Sequence, residues 1–324
     1  MLVTRRAALA GGTALALPTT AFAQTKWPER PVSLVVGYAA GGGADIVARE
    51  LSFILSPRLA QQFVVENKGG AAGGIGASFV ANAKPDGYTM FYAVGTNIVI
   101  NPHVLPGYKT DTLDALVPVV QTTDYQYVLA VHPDVPAKTA MELVELARKD
   151  PGKLTYSSSG VGGNNHLAGA LFADAAKIRI EHVPYKGTGP ALLDVINGVI
   201  TMNFSSLPPA VGQIKAGRLK ALAVTGARRV SSLPDVPTLK EAGIDVTVKG
   251  WHGIFAPKGT PVDILDKMEK ETKAALADKK MMDALAKDGL ELPPVLTRAQ
   301  FTDAVRAEHA YWGPKLKSLG IKFE

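Results

Sequence analysis

The 324-residue chain contains no cysteine. That excludes disulfides, lipid attachment through an N-terminal cysteine and cysteine-ligated metals. Beyond residue 23 no stretch carries 18 consecutive apolar residues, so no membrane-spanning helix is expected. No basic run of five or more follows Arg5-Arg6, and charges of both signs are interspersed. The net charge of +6, or +4 without Arg5 and Arg6, therefore says little about nucleic acid, which is not an expected partner. The six histidines, at 103, 132, 166, 182, 252 and 309, form no H-E-x-x-H and no other i, i+4 pair, so no metal or other cofactor is expected. There is no G-x-S-x-G elbow for an α/β-hydrolase.

Two nucleotide signatures are missing as well. A phosphate loop ends in Lys and then Ser or Thr, whereas Gly42 is followed by Gly43 and Ala44. Gly41-Gly42-Gly43-Ala44-Asp45-Ile46 does not fit G-x-G-x-x-G either.

What is present begins with a leader over residues 1–23. Arg5-Arg6 form its basic region, Ala7 to Leu17 its apolar region, and Ala21-Phe22-Ala23 an A-x-A cleavage site. Thr4-Arg5-Arg6-Ala7-Ala8-Leu9 also looks like a twin-arginine signal, though paired arginines occur in ordinary Sec leaders. The mature chain is expected to be exported and soluble, with room for about two domains.

The organising stretch is Pro31 to Leu59. Val32 to Val36 is β-branched and apolar, a buried strand. Three glycines follow, Gly41 to Gly43, and then a helical pattern with Val47, Leu51, Ile54 and Leu55 on one face. Asp45 suits the N-cap, and Pro57 should kink or end the helix. A strand, a glycine turn and a helix N-terminus make an anion seat, because the helix end carries unsatisfied N–H donors and partial positive charge. With no Lys and no nucleotide signature, a small carboxylate is the ligand that fits; a tight turn without ligand is the alternative.

Strand and helix then alternate, which predicts a parallel sheet with helices on both faces and ligands at the carboxyl ends of its strands. Residues 98–124 read as mixed and proline-containing. A fresh strand is expected at Tyr127 to Val131, opening a second strand–helix series that runs to 224. Ser157 to Ser159 sit in a small-residue loop ahead of a helix at Leu167 to Ala176. They could hold a nucleophile, but no base is placed by sequence, and a loop that donates hydrogen bonds is the other reading. His166 reads as a residue packing against the sheet or a ligand contact, Trp251 as core, domain interface or a stacking group. Three helices, near 261–277, 280–288 and 298–318, should close the chain on the first unit.

Several motifs recur in order: Trp27-Pro28-x-x-Pro31, Gly41-Gly42-x-x-Asp45 with Arg49, Val65-Glu66-Asn67 with Gly70-Ala71-x-Gly73-x-x-Gly76, and Pro85-Asp86-Gly87-Tyr88-Thr89. His166-Leu167-Ala168-Gly169, Tyr185-Lys186-Gly187 and Trp251-x-Gly253 follow. In these the chain resembles the substrate-binding proteins of tripartite tricarboxylate transporters, the TctC or Bug family. The resemblance implies a periplasmic binding protein-like α/β fold, with two lobes around a ligand cleft, and no enzymatic activity. Its lobes would be 24–124 with 228–324, and 125–227. It implies capture of a small carboxylate and delivery to the transporter's membrane subunits, by a protein expected to be a monomer. The ligand residues carried over are Tyr38, Ala40, Gly42, Gly43 and Asp45 of the first strand–helix loop, then Thr96 and Asn97. From the second lobe they are Ser157, Ser158, Ser159, Gly160, Asn164, His166, Ser205 and Ser206. The chain departs from the family pattern at Gly163, Ala170 and Ser205, which leaves the identity of the ligand open. A ligand sensor for a signalling receptor and a secreted α/β hydrolase are the competing functions.

Overall fold

The computed structural model describes residues 27–105 and 112–319; the leader assigned to residues 1–23 lies outside them. The strands are β1 (Val32–Val36), β2 (Phe63–Asn67), β3 (Thr89–Val94), β4 (Leu116–Val131), β5 (Thr155–Ser158), β6 (Glu181–Pro184), β7 (Met202–Ser206), β8 (Lys220–Val224) and β9 (Lys249–Pro257). The helices are α1 (Gly43–Leu59), α2 (Gly74–Ala81), α3 (Gly95–Val99), α4 (Asn101–Val104), α5 (Thr112–Ala115) and α6 (Ala140–Lys149), then α7 (Asn164–Ala176), α8 (Thr188–Ile196), α9 (Leu207–Lys215), α10 (Val262–Leu276), α11 (Lys279–Lys287) and α12 (Arg298–Leu319). No helix among the described residues is long and apolar enough to cross a membrane.

β1 shows how the core is shared. Val32, Leu34 and Val36 are buried with Val47, Leu51 and Leu55 of α1, while Val35 faces the other way with Ala77 and Val80 of α2. Period-two alternation on a strand covered by a helix on each face yields this split. Each such side chain contributes about 1.5–3 kcal/mol by leaving water.

The sheet runs β2-β1-β3-β9-β4-β7-β5-β6, with β8 also paired to β4. It is mixed, not parallel as the alternation predicts. β1 pairs in parallel with β2 and β3, and β5 with β6 and β7. β4 and β9, however, run antiparallel to their neighbours. The cause is β4. Its first part, Leu116 to Gln126, pairs with β9, and its last five residues pair with β7, four of them also with β8. One 16-residue strand thus belongs to both halves of the fold, where a strand starting only at Tyr127 was expected. Pro118 lies beside a register shift, where the ladder tolerates a missing N–H.

The three C-terminal helices pack on the first half as expected. Arg58 of α1 pairs with Glu271 of α10 at 3.1 Å, and Trp251 of β9 donates to Glu308 of α12 at 2.7 Å. Trp251 also stacks on Phe255 and meets Phe301 edge to face, so it serves packing in the first half.

Pro57 does not break α1, which continues to Leu59 and stops at Ala60 in the left-handed region. The proline sits in the last turn, where it removes a single bond, to the carbonyl of exposed Phe53.

Candidate functional site

The loop after β1 turns at Gly41, whose φ of +82° suits glycine. The N-cap of α1 is Gly42, not Asp45, and no side chain caps the helix. Asp45 is the third helical residue and reaches back: its carboxylate accepts from Gly41 N at 3.0 Å, Asn67 Nδ2 at 2.9 Å and Arg49 Nε at 3.1 Å. Burial would raise its pKa, but these donors and the Arg49 charge outweigh it and hold the carboxyl below its ordinary range. Asp45 therefore stiffens the loop and has its lone pairs occupied.

The N–H groups of the first turn of α1 have no partner within the helix. The same holds for three helices of the second lobe. α7 starts after Gly163, α8 after Gly187 and α9 after Ser206, each without a side-chain cap. All four N-termini meet in one cavity, whose wall includes Gly42, Gly43 and Ala44 of the first helix, Asn164 and Asn165 of the second, Thr188 and Ser206. Among the described residues no Lys or Arg lines it, and Asp45 is the one carboxylate that does. The converging backbone dipoles favour negative charge there, offset in part by the Asp45 carboxylate, which Arg49 pairs at 2.9 Å.

The remaining wall comes from Tyr38, Val94, Thr96, Tyr125, Tyr127, Ser159 and His252. Tyr38 donates to the Ala72 carbonyl at 2.9 Å and accepts from Asn97 Nδ2 at 2.8 Å. The hydroxyls of Tyr125 and Tyr127 share a hydrogen bond of 3.1 Å, and His252 stacks on Tyr125 with its Nδ1 2.7 Å from Thr123 Oγ1. Burial raises the pKa of all three tyrosines and pushes His252 down to about 3, so each is neutral at pH 7.

Eight of the residues expected from sequence line the cavity: Tyr38, Gly42, Gly43, Asp45, Thr96, Ser159, Asn164 and Ser206. The other seven stand outside its wall and support it. Ala40 is exposed, its carbonyl against Gly189. Asn97 ties Val94 N, Tyr38 and the Ala72 carbonyl together. Ser157 donates to the Ala191 carbonyl and accepts from Asn203. Ser158 contacts Gly160 and, at 2.6 Å, His182 Nε2. Gly160 backs onto Ala72. His166 accepts from Gly162 N and stacks on His182 with ring centres 3.8 Å apart. Ser205 donates to the Ser206 carbonyl. The serine–histidine contact at Ser158 therefore lies outside the cavity wall.

Sequence reasoning missed Tyr125, Tyr127, Asn165, Thr188 and His252. The pattern Tyr125-Gln126-Tyr127 did carry a signal, since i and i+2 on a strand share a face. The others depend on pairing across distant strands and on α7 and α8 each starting two or more residues earlier than their patterns suggest.

The two halves touch across the cavity. Ala39 N donates to the Lys186 carbonyl at 2.9 Å. A Cβ on Gly43 would lie 2.7 Å from Ser206 Oγ, and one on Gly189 2.6 Å from the Ala40 carbonyl oxygen. Glycine leaves room for the Ser206 side chain at Gly43 and for the Ala40 backbone at Gly189, and the cleft is closed.

Two α/β lobes shut over a polar cavity define a solute-binding protein of the periplasmic type. Solved structures agree: the periplasmic binding protein BugD matches with a TM-score of 0.87 and 34% identity, covering 91% of this chain and 99% of that one. Rpa4515 of R. palustris, solved with adipate, matches with a TM-score of 0.87 and 32% identity, over 91% and 99% of the two chains. MatC of Rhodopseudomonas palustris, with bound malate, gives 0.84 and 28%, over 89% and 99%. Protein BugT of Bordetella pertussis is 30% identical over 300 residues, 92% of each chain. The family model for the tripartite tricarboxylate transporter family receptor, TctC, matches residues 47–321. The chain belongs to this family, whose members bind solutes rather than transform them.

Proposed function

We propose that the protein captures a small organic carboxylate in the periplasm and delivers it to the membrane subunits of a tripartite tricarboxylate-type transporter. The observation that carries this reading is the meeting of four helix N-termini without side-chain caps in a cavity that no Lys or Arg lines among the described residues. The leader at residues 1–23 supports export, and the adipate and malate in the two related structures support the ligand class. The lobes proposed are 24–124 with 228–324, and 125–227. β4 passes from one set of partners to the other between Gln126 and Tyr127, and the chain returns after β8, so these crossings act as the hinge.

A thermal-shift panel of mono-, di- and tricarboxylic acids tests the reading. Malate, adipate or another member at about 100 Kd is expected to stabilise the protein by roughly 2.7 kcal/mol, while the matching amides leave the melting point unchanged. No shift with any acid, or equal shifts with amides, would overturn it.

A further inference from the structure

We infer that Asn101, which does not line the cavity, is a positioning residue for it: Asn101 holds a strained turn, Gly70–Gly73, on which Tyr38 rests and against which the second half of the molecule closes. This rests on the closure reading above and names a residue that couples closure to the cavity wall.

The strain is in the backbone. Ala71 and Ala72 have φ of +47° and +46°. Two successive alanines in the left-handed region are disfavoured, because each Cβ crowds the following carbonyl oxygen. Gly70 and Gly73 flank them at +135° and +91°, where glycine is the residue that fits. Such a conformation persists only where its surroundings over-determine it. Here the Ala72 carbonyl oxygen is the fixed point. It accepts from Tyr38 Oη at 2.9 Å, Asn97 Nδ2 at 2.6 Å and Asn101 Nδ2 at 2.9 Å. A carbonyl oxygen only accepts, so the Asn101 amide must turn Nδ2 toward it.

The three donors lead to three places. Tyr38 lines the cavity, so the position of the Ala72 carbonyl sets where the Tyr38 hydroxyl, and with it the ring, is held. Asn97 accepts from Val94 N at 3.0 Å and ties the turn to β3. Asn101, the first residue of α4, is fully buried, and its Oδ1 has no hydrogen-bond partner. That oxygen faces the second half: a Cβ on Gly162 would lie 3.4 Å from it. The turn faces the same loop, since a Cβ on Gly160 would lie 3.2 Å from Ala72 N. Cavity wall, strained turn and closing loop therefore meet around one carbonyl oxygen, and Asn101 joins the last two.

Asn101→Leu keeps the volume and removes the donor. The Ala72 carbonyl retains Tyr38 and Asn97, so no buried acceptor is orphaned and the ligand-free melting point should stay near that of the wild type. The turn, with one restraint fewer, relaxes away from the left-handed region and takes Tyr38 with it. Calorimetry on the full mature chain with malate, adipate and the tightest acid of the panel reads the result. Affinity should fall about tenfold, as expected when about a tenth of the molecules hold the competent turn. Ala72→Gly is the rescue, because glycine adopts the left-handed region without cost. On its own it should leave affinity near that of the wild type, and in the Asn101→Leu background it should restore most of the loss, a non-additivity that a merely structural asparagine would not produce. A second reading needs no ligand. Gly73 N donates to the Gly70 carbonyl at 3.0 Å within the turn, and its hydrogen exchange should quicken about tenfold in Asn101→Leu and return toward the wild-type rate in the double variant. Should Asn101→Leu not fold, Asn101→Ala, too short to reach the carbonyl, takes the same measurements. Unchanged affinity, an unchanged Gly73 exchange rate, or no rescue by Ala72→Gly would overturn the inference and leave the carboxylate reading intact. Failure of every acid to bind the wild type would remove the carboxylate reading, and the Gly73 exchange rate would then decide whether Asn101 holds the turn.

Discussion

Gly43→Glu is expected to lose the whole ligand-induced stabilisation, roughly 2.7 kcal/mol at about 100 Kd, while its ligand-free form stays folded. Gly43 is the first residue of α1 and carries no positive φ, so a side chain there strains nothing within its own lobe. Its Cβ would nevertheless meet Ser206 Oγ at 2.7 Å and Ser206 Cβ at 3.0 Å. These atoms belong to the other side of the cleft, so the clash exists only in the closed form. Glutamate adds a carboxylate in the seat proposed for the ligand. Gly43→Gln tests size without charge and should also lose most of the shift; Gly43→Ala should lose part of it. Gly42→Ala is the control, because its nearest neighbours, in Thr188 and Gly189, would be 3.7 Å away, an ordinary contact. Thermal unfolding with and without the best acid of the panel reads all four. A full shift in Gly43→Glu would mean that closure does not bring α1 against α9.

The second large effect is loss of stability in mild acid. His166 and His252 are buried, at 5% and 2% exposure, and burial pushes each down to about 3; the neighbouring His182 lowers His166 further. An unfolded histidine titrates near 6.5. Between those values the unfolded chain binds the extra protons, so stability is complete above pH 6.5 and falls as pH drops toward 3. At pH 4.5 each histidine removes roughly 2–3 kcal/mol. Asp45, whose pKa is lowered, contributes stability that persists above its ordinary range and is lost only at lower pH. Urea unfolding at pH 7.5, 6.0, 5.0 and 4.5 should therefore give a stability that declines as pH falls, His166, His252 and His182, which burial lowers to about 4, together outweighing Asp124, which burial raises to about 6. His252→Asn should reduce the slope of that decline by about one proton. A flat profile from 7.5 to 5.0 would contradict the burial of these rings in their neutral form.

The parts of this molecule that were legible in the sequence are those fixed by local pattern. Val32 to Val36, the glycine turn and the start of α1 follow from β-branched composition, Gly41 and apolar periodicity. The C-terminal helices fall within a residue or two of their patterns because their capping residues are strong: Thr297 and Gln300 bond each other's backbone at 3.2 and 2.9 Å. What local pattern does not carry is pairing. Leu116 to Gln126 looked irregular because Pro118 interrupts it, yet β9 supplies the antiparallel partner that makes it a strand. Asp45 resembled an N-cap, but Arg49 and Asn67 draw its carboxylate back over the loop, and Gly42 takes the cap position. The serines at 157 and 158 are in β5 and bond to Ala191, Asn203 and His182. Only the tertiary arrangement distinguishes them from Ser159, two positions or fewer away, which lines the cavity.

Closure on the ligand is the centre of the account, and small-angle scattering of the mature chain measures it directly. With the best acid of the panel at saturation, the radius of gyration should contract as the lobes turn about the crossings near 125 and 227, and Gly43→Glu should remain at the ligand-free value. A wild-type radius unchanged by saturating ligand, with binding verified in the same sample, would contradict it.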